Sequence, residues 1–367
     1  MIFHSFPKAG VKVSAISFGS MRWPSEDACR QIMQKGLDAG LNYVDTSTGY
    51  CAGKSLKWTG RAIKNRRSEI LFSCKSNWSA APKADEVRKS IEAALIEAEL
   101  DYFDFYQLWG LEEAKTVQQA VAKGGFLEGV RKAQKDGLVR YGTGFTFHGR
   151  PEVFREAIDT GEFACTTVSY NLMNRNEEDQ IAYAADKGVG VVVMNPLAGG
   201  VLALAGDKNL SFLHGAGIGP SYGALRFLLA NRGVATCIVG FRDTAEVGQA
   251  LAALADAEKL DDAYRRNLVS SMDAVQLIKG NFCTGCEYCK QCPHGANPSK
   301  LMQVMRDFAV YGVQSDRLAD WIWSKYPHED PVAQFKACQE CKVCEQKCPQ
   351  HLKIIEAFRR AKAALKI

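Results

Sequence analysis

Two runs of closely spaced cysteines near the C-terminus have the pattern of metal ligands. Eight of the 13 cysteines in the 367-residue chain fall after residue 282. They are Cys283, Cys286, Cys289 and Cys292 in the first run, and Cys338, Cys341, Cys344 and Cys348 in the second, and a proline follows the last cysteine of each run. Thiolates spaced by two residues can surround an iron–sulfur cube, whereas zinc ribbons usually separate two pairs by about 15–20 residues. The spacing therefore favours iron–sulfur clusters, with zinc as the alternative.

The second run has the spacing of bacterial ferredoxins, in which the fourth cysteine commonly binds the other cluster. The first run is one residue shorter before its fourth cysteine. By the ferredoxin logic each run gives three ligands to one cluster and one ligand to the other. The hypothesis assigns one four-iron four-sulfur cluster to Cys283, Cys286, Cys289 and Cys348, and the other to Cys338, Cys341, Cys344 and Cys292.

A second set of reactive residues follows apolar segments in the first third of the chain. Asp45 and Tyr50 come after one such segment, Lys75 closes the next, and Trp109 closes the one after it. A cation beside a phenol lowers the pKa of the phenol, and a carboxylate keeps the lysine charged and oriented. Together these side chains would make Tyr50 a general acid, although each taken alone is better explained as a capping or rim residue.

Eight short apolar runs alternate with helical segments between residues 14 and 255 and could position these side chains. The runs cover 14–20, 42–46, 70–75, 103–109, 139–145, 164–170, 189–195 and 235–240. Such alternation is typical of βαβ units around a parallel sheet. Eight pairs in about 240 residues predict a closed (β/α)8 TIM barrel, whose chemistry lies at the carboxyl ends of the strands. A doubly wound sheet is less favoured because no G-x-G-x-x-G follows the first run.

These segments resemble the aldo-keto reductase superfamily over roughly residues 1–255. The motifs that carry the resemblance are FGSMR, GLNYVDTSTGY, SCK, FDFYQLW and GLVRYGTGFTFHG. The resemblance implies a barrel that binds NADP or NAD, with catalytic roles on Asp45, Tyr50 and Lys75 and with Tyr50 as proton donor. Trp109 stands where the family has a histidine, and His148 is a candidate to enter the pocket instead, although a lone histidine is more often structural. The iron–sulfur segment attached to some members is similar to CTGCEYCKQCP.

The same resemblance implies a set of contacts to the nicotinamide nucleotide. They are Gly19, Ser20, Met21, Thr146, Asn195, Leu197, Gly199, Gly240, Arg242 and Gln249. Phe147 and Thr167 depart from the amides that the family often has at these positions, and Glu246 aligns with the arginine that binds the 2′-phosphate of NADP. A carboxylate repels a phosphate, but Arg242 is near enough to compensate. NAD, NADP and loss of nucleotide binding therefore all stay open.

The overall composition limits the classes of function. The chain has 46 Lys and Arg against 41 Asp and Glu, a net charge of +5, and 47% hydrophobic residues, which is ordinary for a soluble globular protein. The positive charge is small and interspersed with negative charge, so we expect neither nucleic acid nor a membrane surface as partner. No secretory segment and no apolar run of about 18 residues is visible, which predicts a cytoplasmic protein.

The sequence thus predicts two domains. An aldo-keto reductase-like barrel covers residues 1–278, and a small, mainly α-helical ferredoxin-like domain with two 4Fe-4S clusters covers residues 279–367. The expected function is an oxidoreductase that acts on a small carbonyl or alcohol substrate, with clusters that either exchange electrons with a partner protein or only staple the fold. The alternative is an electron-transfer or interaction module on a barrel that has lost nicotinamide-dependent activity.

Overall fold

The computed structural model describes most of the chain as two compact units. The described residues are 1–77, 83–203, 208–275, 283, 285–310, 318–319, 322 and 331–367. The first unit comprises 1–170, 175–196 and 225–265, and the second comprises 171–174, 197–224 and 266–367. The domain boundary expected at residues 278 and 279 lies outside the described residues.

The strands form an N-terminal hairpin and a closed parallel barrel. The hairpin pairs β1 (Phe3–Phe6) with β2 (Val11–Ser14) in antiparallel register. The barrel contains β3 (Ile16–Gly19), β4 (Tyr43–Asp45), β5 (Leu71–Asn77), β6 (Phe105–Leu111), β7 (Thr143–Phe147), β8 (Cys165–Ser169), β9 (Gly190–Met194) and β10 (Thr236–Val239). Its strands follow one another in chain order, and β10 pairs with β3 to close the circle. The predicted barrel is confirmed, whereas the hairpin was not predicted.

Helices alternate with the barrel strands and continue into the cysteine-rich region. They are α1 (Glu26–Asp38), α2 (Ser55–Ile63), α3 (Ala84–Ala98), α4 (Ala114–Val121), α5 (Phe126–Lys135), α6 (Pro151–Asp159), α7 (Glu178–Asp186), α8 (Ser221–Leu229), α9 (Thr244–Ala253), α10 (Asp262–Ala274), α11 (Pro298–Val310), α12 (Pro331–Ala337), α13 (Val343–Gln346) and α14 (Ile354–Leu365). None of the helices in the described ranges is long and apolar enough to cross a membrane.

Three barrel strands lie further along the chain than predicted. β5 continues to Asn77, so Lys75 lies within the strand and does not close it. β6 continues to Leu111, so Trp109 lies within the strand and does not close it. β7 begins at Thr143, because Gly142 has a φ of +111° and separates the strand from Val139, which forms only an isolated bridge with Phe103. The buried apolar runs were recognised correctly, but burial alone does not distinguish strand residues from the buried residues that precede them.

Aromatic side chains fill one layer of the barrel interior. Phe6 of the hairpin packs edge-on against Tyr43 and Phe105, with ring centroids 5.9 and 5.6 Å apart. Gly190 leaves room for this ring, since a Cβ there would lie 2.3 Å from the Phe6 side chain. The hairpin therefore closes the barrel interior with apolar surface next to Tyr43, two residues before Asp45 on β4.

The cysteine-rich region has its own hydrophobic core. Leu301 and Met305 of α11, Phe335 of α12 and Phe358 of α14 are buried in it together with cysteines of both runs. The rings of Phe335 and Phe358 meet edge-on with centroids 5.1 Å apart. Apolar faces of these helices thus pack around the thiols.

Candidate active site and cysteine cavities

Neighbouring strands bring a lysine and an aspartate together inside the barrel. In the parallel register Asp45 of β4 lies opposite Ser73 of β5, and Lys75 lies opposite Gln107 of β6. Because alternate residues of a strand share a face, Ser73 and Lys75 point into the same interior. The Lys75 Nζ donates to Asp45 Oδ1 and, at 3.2 Å, to the backbone carbonyl of Thr46.

Burial and charge together fix the protonation of this pair. Asp45 is 1% exposed and Lys75 is 2% exposed. Burial by itself lowers the pKa of the Lys75 ammonium, but the Asp45 carboxylate and the Tyr50 phenol offset it and hold the pKa above its ordinary value. Burial also raises the pKa of Asp45, against the opposing effects of Lys75 and Gln107. Lys75 is therefore a permanent cation at neutral pH.

Tyr50 and Trp109 lie beside this cation. The Lys75 Nζ is 4.9 Å from the centroid of the Tyr50 ring and 5.9 Å from that of the Trp109 ring. The two rings are 5.7 Å apart and nearly perpendicular at 73°. Both side chains are half-buried, so they border the buried pair and the solvent. The structure thus brings the four candidate catalytic residues into one cluster.

A tight loop holds Tyr50 in place. The Tyr50 carbonyl accepts a hydrogen bond from the Gly53 N–H at 3.0 Å. Between them Cys51 and Ala52 have φ values of +52° and +54°, a left-handed conformation that costs energy for residues with a Cβ. The Cys51 thiol donates to the backbone carbonyl of Met21 at 3.5 Å, and burial raises its pKa. Cys51 therefore anchors the loop as a neutral thiol.

Two positioning residues were not predicted from the sequence. The Gln107 side chain donates from Nε2 to Asp45 Oδ2 at 3.1 Å and to Ser73 Oγ at 2.7 Å. Its Oε1 accepts from the Thr167 hydroxyl at 2.8 Å. Gln107 is fully buried and Thr167 is 1% exposed. The signal was present, because Gln107 precedes Trp109 by two residues and so faces the same interior.

The candidate nucleotide contacts near β3, β4 and β7 differ in how open they are. A Cβ on Gly19 would lie 3.4 Å from the Gly240 N–H nitrogen, so these two glycines let the ends of β3 and β10 approach closely. Ser20 is buried and donates to the Asp45 carbonyl at 2.8 Å, whereas Met21 is 45% exposed. Thr146 is 1% exposed, and its Oγ1 accepts from the backbone N–H of Gly110 at 2.8 Å. The Ser20 and Thr146 side chains therefore hydrogen-bond to the backbone of neighbouring barrel segments.

The loop after β10 contains a charge pair at the start of α9. The Arg242 Nε donates to Glu246 Oε1 at 2.7 Å, while Asp243 caps the helix by accepting from the Glu246 N–H at 2.9 Å. The Arg242 side chain is 81% exposed. Glu246, which stands where the family often has a phosphate-binding arginine, is thus paired with Arg242, the residue expected to compensate for its charge.

The other candidate nucleotide contacts lie on α9 and after β9. Gln249 on α9 is exposed. Asn195 follows β9 with a φ of +59°. Leu197 and Gly199 belong to the second unit, where the Leu197 carbonyl accepts from the Gly200 N–H at 2.9 Å.

The eight C-terminal cysteines line two cavities. The first is lined by Cys283, Cys286, Cys289 and Cys348. The second is lined by Cys292, Cys338, Cys341 and Cys344. Across the part of the chain that the structure describes, no three His, Cys, Asp or Glu side chains come close enough together to hold a single metal ion. Thiols spread around a cavity fit a multi-atom cluster better than one zinc ion.

The first cavity is apolar and provides hydrogen bonds to sulfur. Burial raises the pKa of Cys283 to about 11 and that of Cys289 to about 12. Thiolates in such surroundings need positive charge beside them, which bound iron supplies. The Gly285 N–H donates to the Cys283 sulfur at 3.4 Å, and in the second cavity the His294 N–H donates to the Cys292 sulfur at 3.4 Å. Hydrogen bonds to the sulfur atoms are one of the features that set the reduction potential of iron–sulfur clusters.

Fold and site together are those of a barrel oxidoreductase with an iron–sulfur domain on the same chain. Residues 15–267 match the model of the Aldo/keto reductase family, and residues 282–353 match that of a 4Fe-4S dicluster domain. The first match covers more than half of the sequence. The chain therefore belongs to the aldo/keto reductase family.

Individual proteins and solved structures resemble the chain at low sequence identity. The chain is 24% identical over 204 residues to the uncharacterized oxidoreductase YqkF of Bacillus subtilis, a match that spans 52% of this chain and 63% of that protein. It is 26% identical over 299 residues to the L-galactose dehydrogenase of Arabidopsis thaliana, spanning 72% of this chain and 91% of that protein. The holo form of an aldo-keto reductase from Bacillus halodurans superposes with a TM-score of 0.64 at 24% identity, over 74% of this chain and 96% of that one.

Proposed function

We propose that the barrel transfers hydride between a nicotinamide nucleotide and a small carbonyl or alcohol, with Tyr50 as proton donor or acceptor. The observation that carries the proposal is the buried Lys75–Asp45 pair beside the Tyr50 ring. A permanent cation next to a phenol stabilises the phenolate, so Tyr50 can give its proton to a developing alkoxide near neutral pH. In reduction, the carbonyl carbon gains the hydride and the oxygen gains the Tyr50 proton.

The bound nicotinamide supplies the hydride, and the chain supplies orientation and the proton. Gly19 and Gly240 support the proposed nucleotide site because neither has a side chain to cover the backbone at the ends of β3 and β10. We expect Arg242 to reach the adenosine end of the nucleotide only when its pair with Glu246 opens. Nucleotide preference is therefore expected to depend on that pair.

Trp109, which stands where the family has a histidine, limits the chemistry that we propose for the site. An indole N–H donates one hydrogen bond but neither accepts nor titrates, so it can orient a substrate oxygen without moving a proton. Proton transfer then rests on Tyr50. A relative named L-galactose dehydrogenase supports a hydroxyl-bearing substrate, whose apolar ring face can pack on the Trp109 ring.

The test is an anaerobic titration of the cluster-loaded chain with NADH and NADPH, followed by steady-state turnover of small aldehydes and sugars. Nucleotide binding is followed by fluorescence, and cluster reduction by visible absorbance. Tyr50→Phe is expected to lower kcat at least about 100-fold with unchanged nucleotide affinity. Tyr141→Phe, at a residue 38% exposed, is the matched control. If neither nucleotide binds, the hydride proposal fails and the electron-transfer module takes its place.

We also propose that the eight cysteines hold two 4Fe-4S clusters in the crosswise sets that line the two cavities. The cavities support this pairing because each takes three thiols from one run and one from the other. When bound, such clusters transfer single electrons.

Paired substitutions separate the crosswise arrangement from a sequential one. In the crosswise arrangement, Cys283→Ala with Cys348→Ala disturbs one cluster and leaves about four irons, whereas Cys283→Ala with Cys292→Ala disturbs both. Cys29→Ala in α1 is the control and is expected to keep the full iron content. Iron analysis and electron paramagnetic resonance distinguish the outcomes, and the reverse pattern would show that each run binds its own cluster.

A further inference from the structure

The two cysteine cavities differ in their access to solvent. In the first cavity Cys283, Cys289 and Cys348 are only 7–8% exposed. In the second cavity Cys341 is exposed, and the other three thiols are half-buried. A cluster in the second cavity therefore lies nearer to the protein surface at Cys341, where an external protein can approach it.

The chain around the second cavity is strongly basic. Residues 339–367 contain three Glu and seven Lys or Arg, a far larger excess than the 46 to 41 of the whole chain. The basic residues are Lys342, Lys347, Lys353, Arg359, Arg360, Lys362 and Lys366. The excess belongs to this segment and is not a property of the chain as a whole.

Contacts place three of these cations at the cavity. Lys342 is exposed and lines the cavity one residue after Cys341. The Lys362 Nζ donates to the Cys338 carbonyl at 3.5 Å. Arg359 pairs with Glu340, which also lines the cavity, so these two charges balance each other. We call Lys342 and Lys362 the basic rim.

The acidic residues of the segment are fewer than the basic ones. Glu345 accepts from the Ile355 N–H through Oε1 at 2.9 Å, which orients its carboxylate toward the start of α14. Glu356 lies in the first turn of α14, where a carboxylate suits the helix dipole. The surface next to the exposed thiol therefore presents net positive charge.

We propose that the basic rim docks an acidic electron-carrier protein, which exchanges one electron per encounter with the cluster of the second cavity. This inference rests on the proposed cluster assignment. Redox complexes bury little surface and dissociate readily, so complementary charge supplies much of their encounter rate. The carrier loses one electron and the cluster gains it, or the reverse, and no atom is transferred.

The experiment uses the full chain loaded with clusters and a reduced plant-type [2Fe–2S] ferredoxin as the acidic probe. Binding is measured by calorimetry, and cluster bleaching by stopped-flow absorbance, at several salt concentrations. Lys342→Glu is expected to lower the second-order rate constant about tenfold at low salt and to weaken binding. Lys89→Glu, the same charge change at an exposed position of α3, is expected to leave both unchanged. Lys362→Glu is a second rim variant, should Lys342→Glu fail to load iron.

A basic c-type cytochrome serves as the opposite probe. It is expected to oxidise the reduced clusters faster in the rim variants, because the repulsion falls. Rim and α3 variants with equal rates, or a ferredoxin rate that does not fall with salt, would overturn the docking proposal alone. Wild-type chain that takes up no iron would overturn the cluster assignment and this inference with it.

Discussion

Replacing Asp45 by Asn is expected to lower the free energy of unfolding by about 3 to 5 kcal/mol, since it leaves a buried ammonium without its counter-charge. The side chains of Lys75 and Asp45 are 3% and 2% exposed, so water cannot replace the lost carboxylate. Asp85 and Lys132 give a matched control, because their pair at 2.9 Å has side chains 79% and 41% exposed. Solvent screens that pair, so Asp85→Asn is expected to change the stability little.

The pH dependence sharpens the test. In the wild type the pKa of Lys75 is raised, so the stability that the pair contributes is present below the ordinary lysine pKa and is lost as pH rises through the folded value. In the Asp45→Asn variant burial dominates and lowers the pKa of Lys75, so the variant gains stability as pH rises. The difference in the free energy of unfolding between the wild type and Asp45→Asn is therefore expected to become smaller from neutral pH to about pH 10.

Urea unfolding followed by tryptophan fluorescence measures both effects. Because variants and wild type share the same cysteine-rich domain, the difference between their transitions reports on the barrel. Asp45→Asn together with Lys75→Met is expected to lose less than the sum of the single changes, since no unpaired charge remains. The argument would be refuted if Asp45→Asn were no less stable than Asp85→Asn. It would also be refuted if the stability difference between Asp45→Asn and the wild type did not change with pH.

Two further substitutions follow from the contacts. Glu246→Gln releases Arg242 from its ion pair and is expected to raise the affinity for NADPH relative to NADH about fivefold in fluorescence titrations. A ratio of the two affinities that stays at its wild-type value would show that Arg242 does not contact the nucleotide. Gly190→Ala is expected to cost about 1 to 3 kcal/mol in urea unfolding, because its Cβ would lie 2.3 Å from the Phe6 side chain. Gly248→Ala in α9 meets no atom closer than 3.6 Å and is the control, expected to stabilise by up to about 1 kcal/mol.

Composition and periodicity were sufficient to predict the barrel because its parallel strands are buried on both faces and read as short apolar runs. All eight predicted runs overlap barrel strands. Their ends were less well predicted, as the later positions of β6 and β7 show. The N-terminal hairpin was missed because in β1 only Phe6 is buried, so it presents no continuous apolar run. Its role follows from a contact between distant residues, Phe6 and Gly190, which local patterns do not reveal.

The candidate site shows the same limit at the level of single side chains. Asp45, Tyr50 and Lys75 could be proposed from the sequence because charged and phenolic groups after apolar runs are chemically conspicuous. Gln107 was not singled out in that way, since an amide is not conspicuously reactive, although its spacing of two residues from Trp109 indicated that it faces the interior. Its importance comes from the register of β5 and β6 and from Thr167 two strands away, which together direct its N–H groups at Asp45 and Ser73. A buried carboxylate needs such donors, so the geometry of the proposed proton donor depends on an uncharged residue that only the closed barrel brings into place.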